Sequence, residues 1–106
     1  MKKIIKIRKV TGDFAENKDL AKKLRIEVIM PALLKGNEAI VDFEGVTGAT
    51  QSFVHALVSE PLREFKDVAF DKLAYKNANS DIREIISIVY RYLQESLDLR
   101  SDGSGK

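Results

Sequence analysis

The sequence predicts an α/β fold with a small, mostly parallel sheet and flanking helices. Segments with the apolar pattern of strands alternate along the chain with segments whose apolar residues recur at helical spacing. Residues 39–43 form a compact apolar run, interrupted only by Asp42, of the kind that lies inside a parallel sheet. Strands that alternate with helices pair in parallel through right-handed crossovers, so we expect that arrangement here.

The length and composition suit one globular domain. The 106 residues are enough to bury a single core and too few for two domains. We expect one domain over residues 1–100 and a disordered tail over residues 101–106, because the tail is small and polar. No apolar run reaches the roughly 20 residues of a membrane span, and no signal-peptide pattern opens the chain, so we expect a cytoplasmic protein without membrane contact. The chain has no cysteine and one histidine, so we expect no metal site and no other cofactor.

The charge balance argues against a nucleic-acid partner. The 18 basic and 16 acidic side chains leave a net charge of +2. The one basic cluster consists of Lys2, Lys3, Lys6, Arg8 and Lys9. No aromatic or glycine-rich binding pattern accompanies it, so we interpret the cluster as the solvated face of an edge strand.

The first third of the chain predicts a strand followed by a helix. Residues 3–10 are rich in isoleucine and valine and lead into a turn at Gly12, which is typical of a strand. Residues 17–34 predict a helix capped by Asn17. Pro31 should kink or end this helix, because proline lacks an amide proton and clashes with the preceding turn.

The rest of the chain continues the alternation. After the strand at residues 39–43, Thr50 is placed to cap a helix over residues 51–65. Residues 68–75 predict a third strand, and residues 81–99 predict a last amphipathic helix. The expected buried stripe of the middle helix is Phe53, Val54, Leu57, Val58 and Leu62.

The loop after the second strand is the predicted functional site. Ligands and partners meet open α/β sheets at the carboxyl ends of the strands. The unpaired amide protons and partial positive charge of a helix N-terminus stabilise a phosphate placed there. The candidates for partner binding or phosphorylation in this segment are Asp42, Thr47, Thr50, Gln51 and Ser52, with Gly45 and Gly48 shaping the loop.

Structural roles for the same residues stay open. Thr50 is also a helix cap, and Asp42 also suits a strand end where it binds loop amides. Gly45 and Gly48 suit backbone conformations that side chains forbid. His55 lies between apolar positions of its helix and is expected to be exposed, with no catalytic partner marked nearby, so we do not expect an enzyme.

Three stretches carry a resemblance to two related families. The run Ile40-Val41-Asp42-Phe43-Glu44-Gly45-Val46-Thr47 resembles the strand and loop of STAS domains, the anti-sigma factor antagonists. The run Thr50-Gln51-Ser52-Phe53 resembles the STAS-like family of unknown function, as does the segment Leu73-Ala74-Tyr75-Lys76-Asn77-Ala78 with the helix that follows it.

The resemblance implies a non-catalytic regulatory module of bacterial signalling. Its partner would be a histidine-kinase-type ATPase that acts as an anti-sigma factor or serine kinase. In STAS antagonists an aspartate precedes the phosphorylated serine at the helix start, and here Thr50 and Gln51 hold those two positions. Gln51 cannot accept a phosphoryl group, so a phosphorylation switch would use Ser52 or Thr50 instead.

Two alternatives remain open at this level. The loop glycines also suit a domain that senses a small anion or nucleotide at the same helix end. Separately, apolar residues off the main stripe of the last helix would suit a homodimer face, and these are Ile88, Tyr92, Leu97 and Leu99.

Overall fold

Strands and helices alternate along the chain, with one π-helical segment. The computed structural model describes the backbone of residues 1–105 and the side chains of residues 1–95. The elements in chain order are β1 (Lys2–Lys6), α1 (Ile7–Thr11), β2 (Phe14–Ala15), α2 (Lys18–Leu24), the π-helical segment (Arg25–Ile29), α3 (Met30–Leu34), β3 (Glu38–Asp42), β4 (Gly48–Ala49), α4 (Gln51–Phe65), α5 (Asp67–Lys72), β5 (Leu73–Lys76) and α6 (Ser80–Gly105).

Three parallel strands form the main sheet, in the order β1-β3-β5. At its carboxyl edge the register places Lys6 opposite Asp42, and Asp42 opposite Lys76. A second parallel pair joins β2 to β4, with Phe14 opposite Gly48. The predicted α/β fold with a small, mostly parallel sheet and flanking helices is confirmed, while β2 and β4 are too short for the sequence pattern to reveal.

The helices cover one face of the main sheet. Ile5 and Val41 are in register, and both are buried. Ile4 points to the opposite face and is 47% exposed, while its partner Ile40 is half-buried. Successive strand residues point to opposite faces, so the second face of this parallel sheet is more open than is usual for such sheets.

Helix α4 lies at the centre of the core. It packs against α2 on one side and α6 on the other. Its predicted apolar stripe is confirmed, because the following residues are all buried: Phe53, Val54, Leu57, Val58 and Leu62. Burying each such side chain contributes roughly 1.5–3 kcal/mol, so this stripe fixes the position of the α4 N-terminus relative to the sheet.

The predicted first strand is too long at its carboxyl end. The chain leaves the sheet after Lys6 and turns into the short helix α1. This turn places Ile7 in the core and leaves Val10 exposed. The sequence expectation was wrong for residues 7–10 because isoleucine and valine favour strands without determining where a strand ends.

The predicted third strand is only half correct. Residues 67–72 form the helix α5, and the strand β5 is limited to Leu73–Lys76. Val68 and Phe70 are two residues apart, as apolar residues on one face of a strand are. The fully buried residue of this segment, however, is Ala69 between them. Lys66 adopts a φ of +49°, which ends α4 and lets a new helix begin at once.

Pro31 does not end the first long helix. The helical path continues through α3 to Leu34, and the π-helical segment precedes the proline. In that segment the amide of Met30 donates to the carbonyl of Arg25, five residues earlier. This wider turn changes the carbonyl positions that a proline ring would meet, so the helix accommodates Pro31 instead of stopping.

The helix ends follow the capping signals in the sequence. The Asn17 side chain accepts hydrogen bonds from the first turn of α2, and Gly36 closes α3 with a φ of +78°. Asn79 caps α6 by accepting from the Ile82 amide at 2.9 Å. Helix α6 extends beyond the predicted residues 81–99. Leu97, Leu99 and the side chains of residues 101–106 lie outside the described side chains, so the expectations about them stay predictions.

Candidate functional site

Asp42 organises the carboxyl edge of the sheet. Its side chain is 2% exposed. Oδ1 accepts from the Glu44 amide at 3.0 Å and from Asn77 Nδ2 at 2.9 Å, while Oδ2 lies 3.4 Å from Lys6 Nζ. The carboxylate therefore ties together the ends of β1, β3 and β5. The alternative structural role, an aspartate that binds loop amides, is the role that this geometry supports.

These donors keep Asp42 ionised. The hydrogen bond from Asn77, and then those from Glu44 and Lys6, hold the pKa of the Asp42 carboxyl below its usual value, although burial acts in the opposite direction. A carboxylate satisfied in this way has little capacity left to act as a general base.

Thr47 braces the loop against the first half of the chain. Its amide donates to the Asp13 carbonyl at 2.7 Å, and its hydroxyl donates to the same oxygen at 2.9 Å. Its own carbonyl accepts from Asn79 Nδ2 at 2.9 Å. Thr47 is nevertheless exposed, so the residue is accessible while its polar groups are already bonded.

Thr50 is the N-cap of α4. Its side-chain oxygen accepts from the Phe53 amide at 3.1 Å, as the sequence predicts. Because this bond satisfies one of the free amides of the first helical turn, the hydroxyl oxygen already has a structural role.

Gln51 and Ser52 form the accessible part of the predicted site. Both are exposed in the first turn of α4, and within the described residues neither side chain makes a hydrogen bond. Together they line an open groove of about 530 Å³ between α2, α4 and α6. We call this the α4 groove, and its lining is Lys18, Lys22, Arg25, Gln51, Ser52, His55, Ala56, Ser59, Ile88, Val89 and Tyr92.

One wall of the α4 groove is basic and the opposite wall is apolar. Lys18, Lys22 and Arg25 come from α2 and the π-helical segment, and no carboxylate is among the lining residues. Arg25 donates to the Ala56 carbonyl at 3.2 Å, and its Nε lies 3.3 Å from Glu60 Oε1, so this arginine is already paired with a carboxylate. Sequence reasoning did not identify these cations, although their spacing of four and then three residues places them on one helical face.

The apolar wall includes an exposed aromatic ring. Tyr92 is 62% exposed, and its ring centroid lies 6.1 Å from that of His55.

His55 is half-buried, so the expectation that it is exposed was wrong. Burial lowers the pKa of His55, and the charge of Arg63 lowers it further. The packing of Tyr92 against the ring explains how a residue between apolar positions becomes covered.

The two loop glycines have different roles. Gly45 has a φ of +80°, and a Cβ atom there would overlap Cδ of Arg8. Gly48 lacks such a φ, so the expectation of an unusual backbone there was wrong. Its role is close approach, because a Cβ atom would lie 2.7 Å from the ring of Phe14.

The described part of the chain contains neither a cluster of metal ligands nor a membrane-spanning helix. No group of three or more histidine, aspartate or glutamate side chains there is arranged to hold a metal ion. No helix among the same residues combines the length and the apolarity that crossing a bilayer requires.

Comparison with known proteins identifies the family. No curated protein and no solved structure gives a significant match to the chain. A family model described as "STAS-like domain of unknown function (DUF4325)" matches residues 21–83. This range includes the π-helical segment, β3, the loop and all of α4. The chain therefore belongs to the family of STAS-like domains of unknown function.

Proposed function

We propose that the protein is a non-catalytic regulatory module that binds a protein partner through the α4 groove and the loop before it. The observation that carries this proposal is the exposure of Gln51 and Ser52 at the head of a groove with one basic and one apolar wall. Interfaces use aromatic anchors at their centre, and Tyr92 offers one that is only partly covered.

The chemistry of the groove favours an acidic, amphipathic segment of the partner. Lys18 and Lys22 would attract carboxylates, while Ile88 and Tyr92 would accept apolar side chains. A histidine-kinase-type ATPase that presents such a segment is the proposed partner, in keeping with the STAS-like fold. No carboxylate lines the groove itself, and the nearby carboxylate of Glu60 is paired with Arg25, so Lys18 and Lys22 supply the charge that attracts this segment.

Phosphorylation of Ser52 would switch this interaction. Its hydroxyl is exposed beside the α4 N-terminus, whose amides and partial positive charge stabilise a phosphate. The added charge of about −2 would occupy the cations that an acidic partner needs. Thr50 suits this role less well, because its oxygen already caps the helix. The proposed switch therefore releases the partner when Ser52 is modified.

A binding experiment tests the docking surface. The full chain is titrated calorimetrically with a purified histidine-kinase-type ATPase from the same organism. Lys22→Glu should weaken binding about tenfold or more, because it repels an acidic partner. Lys23→Glu is the matched control, since Lys23 is exposed on the same helix but does not line the groove. Equal effects of the two variants, or no effect of Lys22→Glu, would contradict docking in the groove.

A second experiment tests the switch. Ser52→Asp should weaken binding, whereas Ser80→Asp should not, although Ser80 also lies in the first turn of a helix. Incubation with the cognate kinase and ATP should add one phosphoryl group to the wild-type chain by intact-mass analysis. A gain that survives combined Ser52→Ala and Thr50→Ala substitution would remove the switch and leave the docking module intact.

A further inference from the structure

A second pocket lies at the carboxyl ends of β1 and β3, apart from the α4 groove. It is open, has a volume of about 550 Å³, and is lined by Lys6, Arg8, Lys9, Gly12, Asp42, Glu44 and Gly45. Small-molecule sites have volumes of roughly 300–1,000 Å³ and favour this edge of an open α/β sheet. None of its residues is shared with the α4 groove.

We propose that this pocket, the strand-end pocket, binds the phosphate group of a small phosphorylated molecule. Three cations face it, and structural features elsewhere in the fold hold two of them in place. The proposal is independent of the partner docking proposed above, because it uses different residues and a different surface.

Lys6 is positioned by the buried carboxylate. Its ammonium lies 3.4 Å from Asp42 Oδ2, while its side chain remains 51% exposed. An ammonium group has three donors, so one bond to Asp42 leaves two for a ligand. Since Asp42 also accepts from Asn77 and from the Glu44 amide, its negative charge is well compensated.

Arg8 is positioned by a glycine. A Cβ atom added at Gly45 would lie too close to Cδ and Nε of Arg8. The arginine side chain therefore lies directly over the glycine backbone. Only a residue without a side chain leaves this path open. Among the described residues Arg8 makes no ion pair, so its guanidinium keeps the paired donors that match phosphate oxygens.

The charges of the other lining residues indicate which ligand the strand-end pocket suits. Lys9 adds a third cation, and Glu44 is the one lining carboxylate not held by side-chain bonds. With Asp42 included, the lining has three positive and two negative groups, a net charge of +1. Because the charge of Lys6 is paired with Asp42, the charges of Arg8 and Lys9 are left for a ligand, and a phosphate monoester, which carries about two negative charges near neutral pH, matches their two charges.

Binding is tested by NMR titration of the isotope-labelled full chain with inorganic phosphate and with adenosine 5′-monophosphate. Adenosine without phosphate serves as the control ligand. Chloride at equal ionic strength, about 0.1 M, controls for screening of exposed charges. The amides of Gly12 and Gly45 should shift in a saturable way, with a dissociation constant of about 1 mM or lower for at least one phosphate ligand.

Three substitutions decide whether the proposed residues are responsible. Arg8→Gln should weaken phosphate binding about tenfold or more, because it removes a charge-assisted hydrogen bond. Glu44→Gln should strengthen binding about threefold, because it removes a like charge at the rim. Arg83→Gln, at an exposed arginine outside the pocket, should change binding by less than about twofold.

The outcomes separate the sources of the phosphate. Tighter binding of the nucleotide than of inorganic phosphate identifies a phosphorylated organic ligand, and the reverse identifies the free ion. The proposal is overturned by the absence of saturable shifts, by shifts centred on Ser52 instead of Gly45, or by equal binding to the Arg8→Gln and Arg83→Gln variants.

Discussion

The hydroxyl oxygens of Tyr75 and Tyr90 lie 2.6 Å apart and join β5 to α6. The two rings pack edge to face with centroids 5.9 Å apart, and Phe70 packs against Tyr90 in the same way. This bond ties the last strand to the helix that forms one wall of the α4 groove. It is the only side-chain link between two aromatic hydroxyls in the described part of the chain.

Removing one of these hydroxyls should destabilise the fold. Tyr90→Phe leaves the Tyr75 hydroxyl without its partner and should lower the free energy of unfolding by about 1 kcal/mol. The double variant Tyr75→Phe/Tyr90→Phe should lie closer to the wild type, because no unsatisfied group remains. Urea unfolding of the wild type, the single variants Tyr75→Phe and Tyr90→Phe, and the double variant measures the coupling. Strictly additive losses would contradict a direct bond between the two residues.

The same pair should make stability fall at high pH. Burial raises the pKa of Tyr90 to about 12 and that of Tyr75 well above the ordinary value of 10.0. Above about pH 10 the unfolded chain loses the phenolic protons of Tyr75 and Tyr90, while the folded protein still retains them. The stability that the neutral rings confer is therefore complete below about pH 10 and declines as the pH rises above it. Unfolding free energies at about pH 9 and about pH 11 should differ more for the wild type than for the double phenylalanine variant.

Asp42 should govern stability at low pH. Its folded pKa is lowered, so its contribution is present above the unfolded value of about 3.9 and disappears as the pH falls through the folded value. Asp42→Asn should cost about 1–3 kcal/mol near neutral pH, because an amide cannot accept from Lys6, Asn77 and the Glu44 amide together. Asp71→Asn, at an exposed aspartate, is the control and should change little. A similar acid sensitivity in wild type and Asp42→Asn would contradict this role.

Gly45 should tolerate substitution less well than another glycine of the same conformation. Gly36 has a φ of +78° and nothing within 4 Å of its Cβ position, so Gly36→Ala measures the backbone cost alone, about 1–2 kcal/mol. Gly45→Ala should cost more, because its methyl group also displaces Arg8. Adding Arg8→Ala to Gly45→Ala should recover that excess. Thermal or urea unfolding gives the comparison, and equal costs at the two glycines would show that Arg8 moves aside freely.

The cap at Thr50 gives a further test of what organises the loop. Thr50→Ala should lower the free energy of unfolding by about 1 kcal/mol, because the Phe53 amide loses its acceptor. Thr50→Ser keeps the oxygen and should be nearly neutral. Equal effects of alanine and serine in urea unfolding would assign the loss to the methyl group of the threonine instead of to the cap.

The sequence predicted best where a local signal acts alone. The capping residues Asn17 and Thr50 and the α4 stripe are confirmed, because side-chain chemistry next to a helix start and regular apolar spacing do not depend on distant contacts. The exit of the chain from the sheet at Lys6 depends instead on the burial of Ile7 by the assembled core. Residues 67–72 became a helix because burial of Ala69 outweighed the strand preference of Val68 and Phe70.

The candidate site was predicted only along one segment. Residues 47–52 are continuous in sequence, and the pattern identified them as a loop and helix start. The α4 groove also contains the cations of Lys18 and Lys22 and the aromatic ring of Tyr92. These side chains come together only after α2, α4 and α6 pack against one another. Arg8 contacts Gly45, 37 residues further along the chain, and no local pattern indicates such a contact.

The π-helical segment lets the first long helix hold one residue more than a regular helix would hold in the same turns. Each residue of a regular helix turns the chain by about 100°, and a π turn holds one residue more than a regular turn. Deleting one residue from Arg25–Ile29 would therefore restore an ordinary turn and leave the following residues on the same faces of the helix. Removing one residue from a regular turn elsewhere in this helix would instead rotate the buried Ala32 and Leu33 away from the core. A single-residue deletion should therefore be tolerated within Arg25–Ile29 and selected against in the regular turns before it.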